Sequence, residues 1–159
     1  MKASEIMTSD AVTVRPEATV GEVVRLLLGA GRQGLGVVDP DGRLLGVVTE
    51  TDVVAKHARP HVPVYLGILG YILPIETRTN DEEVRHVLAV TARDLMSDDV
   101  PVVGPGADVD DVATLMVDEN VNPVPVVDGD RLVGMIAHTD IMRLLLREEE
   151  DDGANPGDR

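Results

Sequence analysis

With 159 residues and a formal net charge of −15, the chain is sized for one domain or a tight pair of small ones, and it repels nucleic acid and anionic membrane surfaces over long range. It has no Trp, no Phe and two Tyr, so base-stacking platforms are excluded over most of its length and Val, Leu and Ile must fill the interior. The lack of cysteine excludes disulfides and thiolate chemistry. Together with the lack of an apolar signal segment after Met1, it predicts a cytoplasmic protein.

In chain order, an opening segment at 3–7 precedes a short strand at 12–14. Thr19 with Glu22 three residues on has the spacing of a capping box. The helix it starts places Val20, Val23, Val24, Leu27 and Leu28 on one face. A strand at 35–38, the turn Asp39-Pro40-Asp41-Gly42 and a strand at 44–48 read as an antiparallel hairpin. The second of these strands ends in Thr49-Glu50-Thr51-Asp52 and opens a helix, predicted to run to about residue 58. Helix N-termini carry unpaired N–H groups and partial positive charge, which suit a phosphate. A carboxylate one turn in can accept from two ribose hydroxyls. The plainer reading of the same residues is a capped helix with Asp52 facing its dipole.

Residues 59–91 have no counterpart elsewhere in the chain and form an insert. Its stretch at 62–75 is apolar but holds two prolines and is shorter than the ~20 residues a membrane-spanning helix needs. Burial against the body, or at a homodimer interface where Tyr and Leu are natural anchors, is the expected use. Asn80 with Glu83 then signals a helix at 81–89. His57 and His61 flank the insert without ligand partners at metal-binding spacing, so no metal site is expected.

After the insert, the chain repeats itself. Met96 lies 89 residues after Met7, and the same offset pairs Val14 with Val103, Pro16 with Pro105 and Val20 with Val109. One turn residue is then deleted, and Gly46 pairs with Gly134 and Asp52 with Asp140. Asp108 and Asp111 stand where Thr19 and Glu22 form the first capping signal. The second copy ends in Ala137-His138-Thr139-Asp140 and a helix at 138–147, with an acidic tail at 148–159 expected to be disordered. The fold class is α+β, built as tandem β-α-β-β-α repeats that pack about a pseudo-twofold axis. No nucleophile–base arrangement or paired catalytic carboxylates are evident, so no enzymatic activity is expected.

The two strand-to-helix corners, GVVTETD and GMIAHTD, resemble the Gly-x-x-Ser/Thr-x-Ser/Thr-Asp turn of the CBS domain, as do Ile6-Met7-Thr8, Leu95-Met96-Ser97 and the strand end Pro125-Val126-Val127-Asp128. The resemblance covers 1–58 and 92–147 and implies a CBS-domain pair, or Bateman module. Two departures stand out: Gly36 where the first repeat would show proline, and Ala137 in place of the first hydroxyl of the second turn.

The resemblance implies a stand-alone regulatory module with no required cofactor, binding an adenosine-type effector (AMP, ADP, ATP or S-adenosylmethionine) between the repeats and relaying occupancy to an unidentified effector protein, as a homodimer. It places Thr49, Thr51 and Asp52 opposite Ser97, Pro101, Asn122 and Pro123 in one cleft. In the other it places Thr139 and Asp140 opposite Thr8, Val12, Gln33 and Gly34. Because Ala137 removes a hydroxyl, the Asp52 cleft is expected to fill first. Arg32, Lys56 and Arg143 are the candidate phosphate partners. The competing reading is a ligand-free scaffold whose apolar insert docks a membrane-associated partner.

Overall fold

The computed structural model describes residues 1–31, 33–57, 65–68, 71–74 and 90–153, with side chains described except at 30, 56, 57, 65–68, 71–74 and 151–153. The first repeat comprises α1 (Ala3–Ile6), β1 (Thr13–Val14), α2 (Val20–Ala30), β2 (Gly34–Val38), β3 (Leu44–Thr49) and α3 (Glu50–His57). A hairpin of β4 (Tyr65–Ile68) and β5 (Tyr71–Pro74) follows. The second repeat comprises α4 (Ala92–Leu95), α5 (Val109–Asp118), β6 (Val124–Asp128), β7 (Arg131–Ile136) and α6 (His138–Gly153). No described helix is long and apolar enough to cross a membrane. The helix expected at 81–89, the candidate phosphate partner Arg32, His61 and the side chains of Lys56, His57 and the apolar insert lie outside what is described.

The local signals act as their chemistry dictates. Thr19 Oγ1 accepts from the Glu22 N–H at 3.2 Å while the Glu22 carboxylate accepts from the Thr19 N–H at 2.8 Å, closing the capping box on α2. At the equivalent start of α5, Asp108 makes no side-chain cap and instead accepts from Lys2 Nζ at 2.8 Å. The β2–β3 and β6–β7 hairpins turn on glycines in left-handed backbone, Gly42 at φ 83° and Gly129 at φ 66°. β2 pairs antiparallel with β3 and parallel with β1; β6 pairs antiparallel with β7. The strand expected at 102–103 amounts to a single parallel bridge, Val103 with Val126.

The tail departs from expectation. α6 continues through Glu148–Glu150 to Gly153, because the sequence from His138 to Asp152 offers no proline or glycine to stop it. Residues 154–159 lie outside what is described.

Two apolar cores form, and each borrows from the other half. One joins Val23, Leu27, Leu35, Val37 and Val48 of the first repeat to Ala92 and Leu95 of α4. The other joins Val112, Met116, Val124, Val126 and Ile136 of the second repeat to Ala3, with Ile6 and Met7 packed against it. Backbone bonds fix the exchange: Ala3 N–H to Ala107 O at 2.8 Å in one direction and Ala92 N–H to Ala18 O at 2.8 Å in the other. The opening segments then cross the central strands of the opposite repeat, Thr8 bridging Met135 and Ser97 bridging Val47. Ion pairs Lys2–Asp108 and Arg43–Asp130 also span the halves at 2.8 and 2.9 Å. Both are exposed and contribute little.

Candidate functional site

The site grows out of the two strand-to-helix corners. In the first, Asp52 Oδ2 accepts from the Thr49 N–H at 2.7 Å and from the Thr49 hydroxyl at 3.0 Å, and the Asp52 N–H reaches Thr49 Oγ1 at 3.4 Å. The capped-helix reading of this pair is therefore correct as local structure. It leaves Asp52 Oδ1 without a hydrogen bond among the described residues. In the second corner, Asp140 Oδ2 accepts from the Ala137 N–H at 2.8 Å, and its other oxygen takes Arg143 Nη1 at 3.0 Å. Both oxygens of that carboxylate are thus engaged, and its side chain is only 10% exposed. Arg143 has no basic counterpart in the first repeat, where the matching position is Ala55.

Between the repeats lie two clefts of very different size. The first, about 320 Å³, is lined by Thr49, Thr51 and Asp52 from one repeat and Ser97, Pro101, Asn122 and Pro123 from the other. All seven residues assigned to that cleft from sequence meet there. Val47, Asp99, Val100, Asn120 and Val121 complete the lining. Of these, Asp99 was legible as a carboxylate two residues past Ser97; Asn120, at φ 51°, sits in a backbone conformation that sequence alone did not announce.

The second cleft has a volume of about 30 Å³, room for a water or two. It brings together Thr8, Val12, Gln33, Gly34 and Asp140, with Ala11, Pro123, Met135 and Ala137. Thr139 is not part of its lining. The cause of the closure is visible in the repeat alignment. Pro123 aligns with Gly34, and the proline ring sits so close that a Cβ on Gly34 would lie 2.8 Å from Pro123 Cδ. Pro123 therefore lines both clefts and fills the second. Asn122 reinforces it: its amide donates to Gln33 Oε1, and its Oδ1 accepts from the His138 N–H at 3.0 Å.

The strand glycines make the corners possible. A Cβ at Gly46 would lie 2.7 Å from both Met96 Sδ and Ser97 O; one at Gly134 would lie 2.5 Å from Met7 Sδ. Gly36, the departure from proline, is crowded the same way, with Leu132 Cδ2 at 2.4 Å from where its Cβ would be. Among the described residues no group of three or more His, Cys, Asp or Glu could hold a metal ion.

Two exchanged βαββα units enclosing a nucleoside-sized groove define a class of paired, repeat-built modules. Comparison with known proteins places the chain within it: the CBS domain model matches at residues 3–59 and again at 92–147, and the chain belongs to that family. The uncharacterized protein MJ1426 of Methanocaldococcus jannaschii is 29% identical over 134 residues, covering 79% of this chain and 80% of that one. MJ0188 of the same organism is 31% identical over 90% of this chain, which spans only 43% of its length.

Among solved structures, a putative acetoin utilization protein (AcuB) from Vibrio cholerae superposes with a TM-score of 0.74 at 21% identity, covering 99% of this chain and 98% of that one. The CBS domain pair of MJ0100, in complex with 5′-methylthioadenosine and S-adenosyl-L-methionine, gives 0.72 at 23% identity over 93% of this chain and 98% of that one. CBSX2 in complex with AMP gives 0.72 at 22% identity with the same coverage of both chains. At these identities the likeness speaks for the fold.

Proposed function

We propose that this chain is a regulatory module that binds an adenosine-type ligand in the Asp52 cleft and relays occupancy to a partner protein. The observation that carries the reading is the convergence of Thr49, Thr51 and Asp52 with Ser97, Pro101, Asn122 and Pro123 on one cavity of about 320 Å³. That volume lies at the lower end of the range for small-ligand sites. Asp52 Oδ1 would accept from the ribose hydroxyls. Val100, Pro101 and Pro123 would flank the flat adenine where the chain has no aromatic to offer. Solved pairs of the same fold hold AMP in one case and S-adenosylmethionine with methylthioadenosine in another, which supports AMP, ADP, ATP or S-adenosylmethionine as the ligand class.

The Asp140 cleft is the weaker site in this reading. Pro123 fills it, and a ribose would have to displace Arg143 from Asp140. Exposed apolar side chains recur at matched places in the two repeats, Leu28 with Val117 and Val54 with Met142. This symmetric pattern supports self-association as a homodimer, through which occupancy would reach a partner.

Thermal unfolding with adenosine, AMP, ADP, ATP and S-adenosylmethionine tests the reading. A true ligand at a hundredfold excess over its Kd adds about 2.7 kcal/mol of stability. Asp52→Ala weakens its binding roughly tenfold or more, the loss expected for a hydrogen bond to a charged group. No shift with any member would leave an interaction module whose clefts are not used.

A further inference from the structure

We infer that the Asp52 cleft selects among adenosine ligands by charge, taking those whose 5′ substituent is neutral or cationic, a thioether or a sulfonium, and disfavouring 5′-phosphates. The inference rests on the ligand-binding reading of this cleft and narrows its ligand class. Two carboxylates line the cavity from opposite sides, Asp52 on α3 and Asp99 in the loop that follows α4. Among the described residues no lining side chain is cationic; Arg32 and the Lys56 side chain lie outside what is described. A substituent bound in the cavity meets the field of both carboxylates at low salt and less of it as salt rises.

The helix end that would attract a phosphate is already compensated. Glu50 and Asp52 both stand in the first turn of α3, and the Thr49 and Asp52 N–H groups are taken up within the cap. Arg143 pairs with Asp140 on the other side of the molecule's pseudo-axis and does not line this cavity. The contrast with the second corner is instructive. There Arg143 and Arg147 line, with Asp140, Glu5 and Met7, a separate cavity of about 240 Å³, while the cleft that Asp140 shares with Thr8 and Gln33 has almost no volume and no cationic side chain in its lining. Of the two clefts between the strand-to-helix corners, the roomy one is the acidic one, and the arginines line a different cavity.

Isothermal titration of the full chain with adenosine, 5′-methylthioadenosine, S-adenosylmethionine and AMP tests this at low and at physiological salt. Expected is tighter binding of methylthioadenosine and S-adenosylmethionine than of AMP, by roughly tenfold at low salt and less as salt rises. Asp99, exposed and with no hydrogen bond among the described residues, gives the discriminating variant. Asp99→Asn is expected to narrow the S-adenosylmethionine-to-AMP ratio several-fold, with methylthioadenosine moving less than either charged ligand. AMP binding as tightly as methylthioadenosine, or Asp99→Asn moving all ligands equally, overturns charge selection and leaves the adenosine site standing. Failure of all four ligands, adenosine included, overturns the site itself.

Discussion

Gly46 and Gly134 show how a single hydrogen can fix the placement of a binding corner. Each lies under a methionine and a carbonyl of the other repeat's opening segment, with no space for a methyl group. Gly46→Ala must push Met96 and Ser97 off β3, and is expected to cost about 1–3 kcal/mol in denaturant unfolding, as overpacking does. Gly29, in the interior of α2, has nothing within 4 Å of where a Cβ would stand. Gly29→Ala should therefore stabilise by about 0.4–1 kcal/mol in the same measurement, by restricting the unfolded chain. The motif glycines were legible in the sequence as a repeated pattern. What presses on them was not, because the pressing residues come from the opposite repeat. Gly36 illustrates the same limit: its departure from proline is explained by Leu132, nearly a hundred residues away in the chain.

At the level of elements, the helix starts carry the differences between the repeats. The first corner has a full cap, Thr49 with Asp52; the second has only the carboxylate half, Asp140 to the Ala137 N–H. Ala137→Thr should complete it and raise stability by about 0.5–1 kcal/mol, whereas Thr49→Ala should lower it by about 1 kcal/mol; chemical denaturation reads both. Lys2 and Asp108 show a capping site put to another use. Hydrogen bonding to Lys2 holds the Asp108 carboxyl below the usual aspartate range, and the same bond raises the Lys2 ammonium above the usual lysine range.

The depressed carboxyl contributes above its unfolded pKa and loses that contribution as pH falls through the lower folded value. The raised ammonium contributes below its unfolded pKa and loses it as pH rises through the higher folded value. NMR titration should show the pair intact between those limits, with Asp108→Asn bringing the Lys2 ammonium back towards its usual range and Lys2→Met doing the same for the Asp108 carboxyl. The capping boxes, hairpins and amphipathic faces were legible because they are local. The length of α6 was misjudged for a local reason too: its acidic run was weighed as charge, while its residues are ordinary helix formers.

Over the whole molecule, the duplication was plain in the sequence, and the residues expected in the Asp52 cleft followed from the resemblance to the CBS-domain pair, which implies which surfaces face each other. The inequality of the clefts in volume was not, because it depends on a ring at Pro123 meeting the bare backbone of Gly34 across the pseudo-axis. The exchange of opening segments was also hidden; nothing in the spacing of Ala3 or Ala92 says which core each will join. It makes a distinctive prediction. Deleting residues 1–7 removes Ala3, Ile6 and Met7 from the core around Val124 and Ile136, and should cost about 2–4 kcal/mol.

Hydrogen exchange should then rise first in β6 and β7, far along the chain from the deletion. Vectorial synthesis gives this arrangement a further meaning. Residues 3 and 4 leave the ribosome about a hundred residues ahead of their partners at 105–107, so the apolar side chains of this opening segment stay uncovered until the second repeat is made. A nascent chain of this kind has strong reason to meet a holdase, and little to gain from folding its first repeat alone.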